Sequence, residues 1–174
     1  LDKQYFTMDM WLPEGTNIYE TDRIAGEMAD YVRGHEEVEM VSNYIGRTPP
    51  RYYLSNIAFG PQSNYAQLLI KCHTSKDAVA MHALLQDSIR LKFPEPLIKV
   101  NKFELSPLTE AMIEARFLGP DAAVLDSLVN VATSIMRRNP KAADVRNEWG
   151  NMTLVMRPIY DPVKAGALGI TKAQ

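Results

Sequence analysis

Apolar and polar positions along the chain follow two periods that alternate. Over residues 5–12, Phe6, Met8, Met10 and Leu12 alternate with Thr7, Asp9 and Trp11, the period of two that sends successive side chains to opposite faces of a strand. Pro13-Glu14-Gly15 breaks the run. Thr16 or Asn17 then caps a helix, with Glu20 three residues after Asn17 as for a capping box. Ile24, Met28, Tyr31 and Val32 lie on one helical face, and Gly34 suits the position after the C-cap. Residues 38–45 predict a second strand. Residues 46–51 hold two consecutive prolines that exclude a helix. Residues 51–64 read as a loop turned at Gly60-Pro61, with room for a short strand at 52–54. Residues 65–73 predict a third strand, with Ala66, Leu68, Ile70 and Cys72 opposite Tyr65, Gln67, Leu69 and Lys71. Thr74 or Ser75 caps a second helix whose inner stripe is Met81, Leu85, Ile89 and Phe93. Pro94 and Pro96 stop it, and residues 97–105 predict a fourth strand.

The order is β-α-β, loop, β-α-β. That is the split βαβ, ferredoxin-like arrangement of an α+β unit. Right-handed crossovers put both helices on one face of an antiparallel sheet. The other face is left open, or packs on a neighbour. This first unit covers residues 1–107. Over 108–174 the pattern restarts. A strand is expected at 111–118 and a helix after Asp121 with Leu125, Leu128, Ala132 and Ile135 inward. Strands at 143–149 and 152–160 follow, joined at Gly150-Asn151. A short helix then begins at Asp161-Pro162 and closes near Gly169. One βαβ and a hairpin strand make an incomplete second subdomain. With Leu1 in place of an initiator Met, and Thr171 as a helix N-cap just before Gln174, the sequence reads as a piece of a longer protein.

The chain has 174 residues, with 46% apolar and 23% charged. It is long enough to bury roughly 70% of its extended surface, which excludes a disordered or fibrous chain. A formal charge of -2 argues against nucleic acid as the partner, since phosphate binding needs a clustered basic excess. A single Cys72 forbids an internal disulfide. His35, His73 and His82 share no ligand spacing, so neither a metal nor a cofactor is expected. No apolar run reaches the roughly 18 residues of a membrane span. There is no GxSxG, P-loop or GxGxxG signature, and no catalytic residue is expected.

Several stretches together resemble a known family. Met10-Trp11-Leu12-Pro13-Glu14-Gly15-Thr16 with Glu20-Thr21-Asp22-Arg23 is similar to the opening of the second large periplasmic loop in resistance–nodulation–division (RND) efflux pumps of the AcrB type. Val38–Gly46, Pro50–Leu54, Asn64–Leu69, Leu118–Asp121, Asp144–Gly150 and Leu168–Thr171 continue the resemblance in family order. It implies one complete porter subdomain and the first part of the next. The parent would be a homotrimeric, proton-driven permease of the bacterial inner membrane. This segment would lie on the periplasmic side. Its partners would be the rest of the pump chain (membrane helices and docking region), a periplasmic adaptor, an outer-membrane channel and a small lipophilic or amphiphilic substrate.

In that family substrate passes between the two subdomains, and the resemblance assigns residues to the cleft. Asn101, Phe103 and Leu105 match alternate positions of a cleft-facing strand. Their simpler role is as core residues of a half-buried strand. Arg146 and Asn147 match polar residues at the entrance, where a guanidinium can stack on aromatic substrates. The alternative for Arg146 is a surface pair with Glu148 or Asp144. Asp9 and Trp11 are assigned to the cleft side because Met8 and Met10 suit the core. Tyr44 opens the stretch that matches a gating loop, which contains Gly46, Pro49, Pro50, Arg51 and Tyr52. The prolines and tyrosines make it stiffer than the glycine-rich loop of drug pumps.

Two other readings remain. Nine methionines would suit a copper or silver exporter of the same family, thioether sulfur being a soft ligand. Met28, Met81 and Met136, however, fall on helix core stripes. A free-standing ferredoxin-like module that binds a small molecule is the other.

Overall fold

The computed structural model describes residues 3–50, 58–103, 113–140, 142, 145–157 and 159–169. The first unit holds β1 (Tyr5–Trp11), α1 (Ile18–Arg33), β2 (Val38–Ile45), β3 (Tyr65–Cys72), α2 (Ser75–Lys92) and β4 (Leu97–Lys102). The sheet order is β2-β3-β1-β4, and all three pairings are antiparallel. This is the α+β, ferredoxin-like split βαβ fold expected from the two periods.

Local chemistry sets the element ends. The Asn17 side chain accepts the Tyr19 N–H at 3.0 Å. Glu20 does not complete a capping box; it bonds to Arg23 instead. The complete box lies at α2. Thr74 Oγ1 accepts from Asp77 N at 3.2 Å, and Asp77 Oδ2 accepts from Thr74 N at 3.0 Å. Gly34 caps α1 in a right-handed conformation, φ -68, so the left-handed turn expected there is not used. The Gly34 and His35 amides reach α1 carbonyls without it.

Phe6, Met8, Met10 and Leu12 pack with Leu68, Ile70 and Ile98 against Ile24, Met28 and Val32 of α1 and Met81, Leu85 and Ile89 of α2. All lie on the helix side of the sheet. Strands β1 and β3 are central, so most of their residues are buried.

The second unit departs from expectation. Its helices form: α3 (Ala122–Arg137), capped by Asp121, and α4 (Pro162–Ala167), capped by Asp161 with Pro162 in the first turn. Gly150 and Gly169 take positive φ at the turns expected of them. The described residues 113–118, 145–149 and 152–157 form no strand. A strand persists only where a neighbour satisfies its N–H and C=O groups. Among the described residues none pairs with these segments as a strand. For the same reason the inner stripe of α3 is not buried. Leu128 and Ile135 are 47% and 61% exposed, Leu125, Ala132 and Met136 are only partly covered, and no residue of α3 is buried.

Candidate functional site

Strand register builds the site on the sheet face away from the helices. Across the sheet, Tyr44, Gln67, Asp9 and Lys99 form one row. The next row is Ser42, Leu69, Thr7 and Asn101. On the other side Trp11 lies between Tyr65 and Leu97. Cross-strand and diagonal neighbours on one face are within reach of each other, so Asp9 meets side chains from both flanking strands.

Asp9 Oδ1 accepts from Tyr65 Oη at 2.6 Å and from Gln67 Nε2 at 2.7 Å. Its Oδ2 accepts from Asn101 Nδ2 at 2.6 Å. The carboxyl is 6% exposed. Burial raises its pKa above the ordinary value, against the pull of Tyr65, Gln67, Lys99 and Asn101 toward the charged form. Three donors fix its position, so it acts as the organising acceptor of this face. Gln67 is fully buried, and its Oε1 has no hydrogen-bond partner among the described atoms.

Above this polar row sits an aromatic cluster. Trp11, Phe59 and Tyr65 lie with ring centroids 5.3 to 5.7 Å apart, in edge-on or tilted geometry. Arg146, from the second unit, places its guanidinium carbon 5.5 Å from the centre of the Trp11 ring. That is cation–π range, worth about 0.5–1 kcal/mol at an exposed position. A second link ties the units nearby. Glu14 N donates to Asn151 Oδ1 at 2.6 Å, and Asn151 Nδ2 donates to Glu14 O at 3.3 Å.

The structure brings Asp9, Trp11, Asn101 and Arg146 together. Tyr44 shares the face, half-buried on the edge strand β2. Phe103 is half-buried just past the end of β4, and Leu105 lies outside the described residues. The Asn147 side chain accepts from Trp149 N at 3.0 Å, a bond within its own turn. Of the expected gating loop, Arg51 and Tyr52 lie outside the described residues, as does the short strand at 52–54. Pro50 is exposed, whereas its neighbours are tied down. Gly46, at φ +78, donates to Tyr65 O at 2.8 Å and accepts from Gln62 N at 2.7 Å. Thr48 Oγ1 accepts from Phe59 N at 3.1 Å, and Pro49 is buried. Tyr65, Gln67 and Phe59 were not anticipated. The signal for the first two was present, in alternate polar positions on the strand that pairs with β1.

No metal-binding group of three or more His, Cys, Asp or Glu occurs among the described residues. Cys72 is buried on the helix side, and burial, then Asp77 and Glu37, push its thiol up to about 11. No helix among the described residues is long and apolar enough to cross a membrane.

No protein-family model matches the chain, and no curated protein matches it. Its fold is found in solved structures. Two crystal forms of a heavy metal efflux pump superpose on 98% and 99% of the chain, with TM-scores of 0.64 and 0.62 and sequence identities of 15% and 18%. The chain spans only 18% and 19% of the length of those pump chains.

Proposed function

We propose that the chain is part of the periplasmic porter region of an RND efflux pump. The sheet face around Asp9 and Trp11 would be one wall of its substrate cleft. One observation carries the reading: a single fold likeness runs through both units of the chain, over 98% of its length, to a pump that exports. The site agrees with it. An aromatic cluster over a fixed carboxyl, rimmed by an arginine from the second unit, suits a small lipophilic or amphiphilic molecule. Both sides of the cleft would move as the units hinge, driven from a membrane part through conformational coupling. The parent is read as a proton-driven homotrimer of the inner membrane that works with a periplasmic adaptor and an outer-membrane channel. No catalytic role is proposed.

A second reading takes the neighbours' printed description further, to export of a soft metal ion. Four of the nine methionines offer it nothing, although Met40, Met152 and Met156 are exposed. Met8, Met10, Met28 and Met81 are at most 2% exposed and belong to the core, so their sulfurs do not reach the Asp9 face. Cys72 is likewise buried on the helix side of the sheet and does not reach the Asp9 face.

The test uses bacteria stripped of their own efflux pumps that express the full-length protein carrying this segment. Tolerance to lipophilic dyes and detergents should rise, while tolerance to copper and silver stays unchanged. Metal tolerance without dye tolerance would establish the second reading. No change in either, with the protein assembled in the membrane, would sink the export reading.

A further inference from the structure

The Asp9 network has a direction built into it. A carboxylate only accepts, whereas a carboxylic acid has one O–H to donate and a carbonyl oxygen with two lone pairs. Every side-chain hydrogen bond described at Asp9 comes in from a donor: Tyr65 and Gln67 onto Oδ1, Asn101 onto Oδ2. That is the pattern of the charged form. The same geometry says where a proton would go. On Oδ1 it would compete with two donors at once. On Oδ2 it meets one, and Oδ1, then the carbonyl oxygen, keeps both of its bonds through its two lone pairs.

Two amides flank the carboxyl, and only one can turn over without loss. Gln67 is 1% exposed, and its Oε1 has no partner. Turned over, it would leave its N–H2 in that dry position, an unpaired donor in place of an unpaired acceptor. Asn101 is half-buried in β4, and the one bond described for its side chain is to Asp9, at 2.6 Å. Turned over, it would accept the Asp9 O–H through its own Oδ1 and leave its N–H2 toward the open side of the face. Among the described residues, the titratable and charged groups that share this face are Tyr65 and Lys71 of β3, Lys99 of β4, Tyr44 and Glu39 of β2, Tyr5 of β1, and Arg146 over Trp11. Glu39 is taken up by Lys71. Burial favours the proton on Asp9 and outweighs Tyr65 and Lys99, which favour the charge.

We propose that Asp9 and Asn101 form a proton-operated switch, in which Asp9 Oδ2 takes a proton from solvent and the Asn101 amide turns over to accept it. With Asp9 charged, Asn101 Oδ1 is the outward group and the face offers an acceptor. With Asp9 neutral, Asn101 Nδ2 is outward and the face offers donors. As the wall of a substrate cleft it would suit ligands with an N–H or ammonium group in the first state, and ligands with a carbonyl or carboxylate in the second. That consequence rests on the export reading; the switch itself does not.

The experiment is an NMR titration of the chain from neutral to acid pH. It follows the Asp9 carboxyl carbon and the scalar couplings that cross the hydrogen bonds to it, from Asn101 Nδ2 and from Gln67 Nε2. The Asn101 coupling should vanish with the same midpoint at which Asp9 takes its proton, while the Gln67 coupling persists. In Asp9→Asn the Asn101 side-chain amide resonances should lose that midpoint. The wild-type titration decides even where the variant fails to fold. An Asn101 coupling that survives protonation, a Gln67 coupling lost in its place, or an Asp9 carbon that does not titrate before the chain unfolds in acid would overturn the proposal. None of these outcomes bears on export, which the tolerance assay tests separately.

Discussion

Asp9 concentrates the physics of this chain in one side chain. Its carboxyl gives up water and receives three hydrogen bonds in return. Desolvation still wins, so the folded protein holds the Asp9 proton more tightly than the unfolded chain does. The sign follows. A raised carboxyl contributes stability that is fully present below its unfolded value, near 3.8, and is lost as pH rises through the folded value. In thermal melts, the stability of the wild type relative to Asp9→Asn should therefore be highest at the acid end and shrink as pH rises. A difference that stays constant with pH would show that the proton is not held more tightly in the fold. Arg146 is different in kind. Exposed and stacked on Trp11, it contributes to stability on the order of 1 kcal/mol at most. Its removal should leave the chain folded, and a change in function there would report on the site.

At the scale of elements, the first unit is where sequence and structure agree most closely. Strands β1 and β3 alternate in the side chains they send to the helices, each helix carries one apolar stripe, and a polar side chain caps each helix. The Thr74–Asp77 box is the clearest local device. Thr74→Ala should cost about 1 kcal/mol, or roughly 2–4 °C in melting temperature for a chain of this size. A variant that melts with the wild type would mean α2 is held by packing alone. The facing of Asp9 and Trp11 was legible because a period of two decides it once Met8 and Met10 go to the core; that of Asn101 came from the family resemblance. The partnership of Asp9 with Tyr65 and Gln67 was not legible, because it depends on β3 lying beside β1, a fact of sheet order and register. The strands expected at 111–118, 143–149 and 152–160 do not form over their described residues, for a related reason. Alternation marks a segment that can pair, and pairing needs a second strand that alternation cannot supply. Helices α3 and α4 form regardless, since their backbone hydrogen bonds are internal and their aspartate caps are local.

The whole molecule is a well-packed sheet-and-helix unit joined to a second unit with little core of its own. Among the described residues two contacts between them lie close together: Asn151 on the backbone of Glu14, and Arg146 on Trp11. The joint therefore lies beside the aromatic cluster and the Asp9 network. If the two units hinge in a pump, the site opens and closes at this joint. That is the central claim, and Arg146→Ala in the full-length protein tests it most directly. With wild-type expression and assembly in the membrane confirmed, tolerance to a panel of lipophilic and amphiphilic compounds is measured in pump-deficient bacteria. The account predicts a changed pattern, with some compounds exported less well and others unaffected. Unchanged tolerance for every compound in the panel would contradict it.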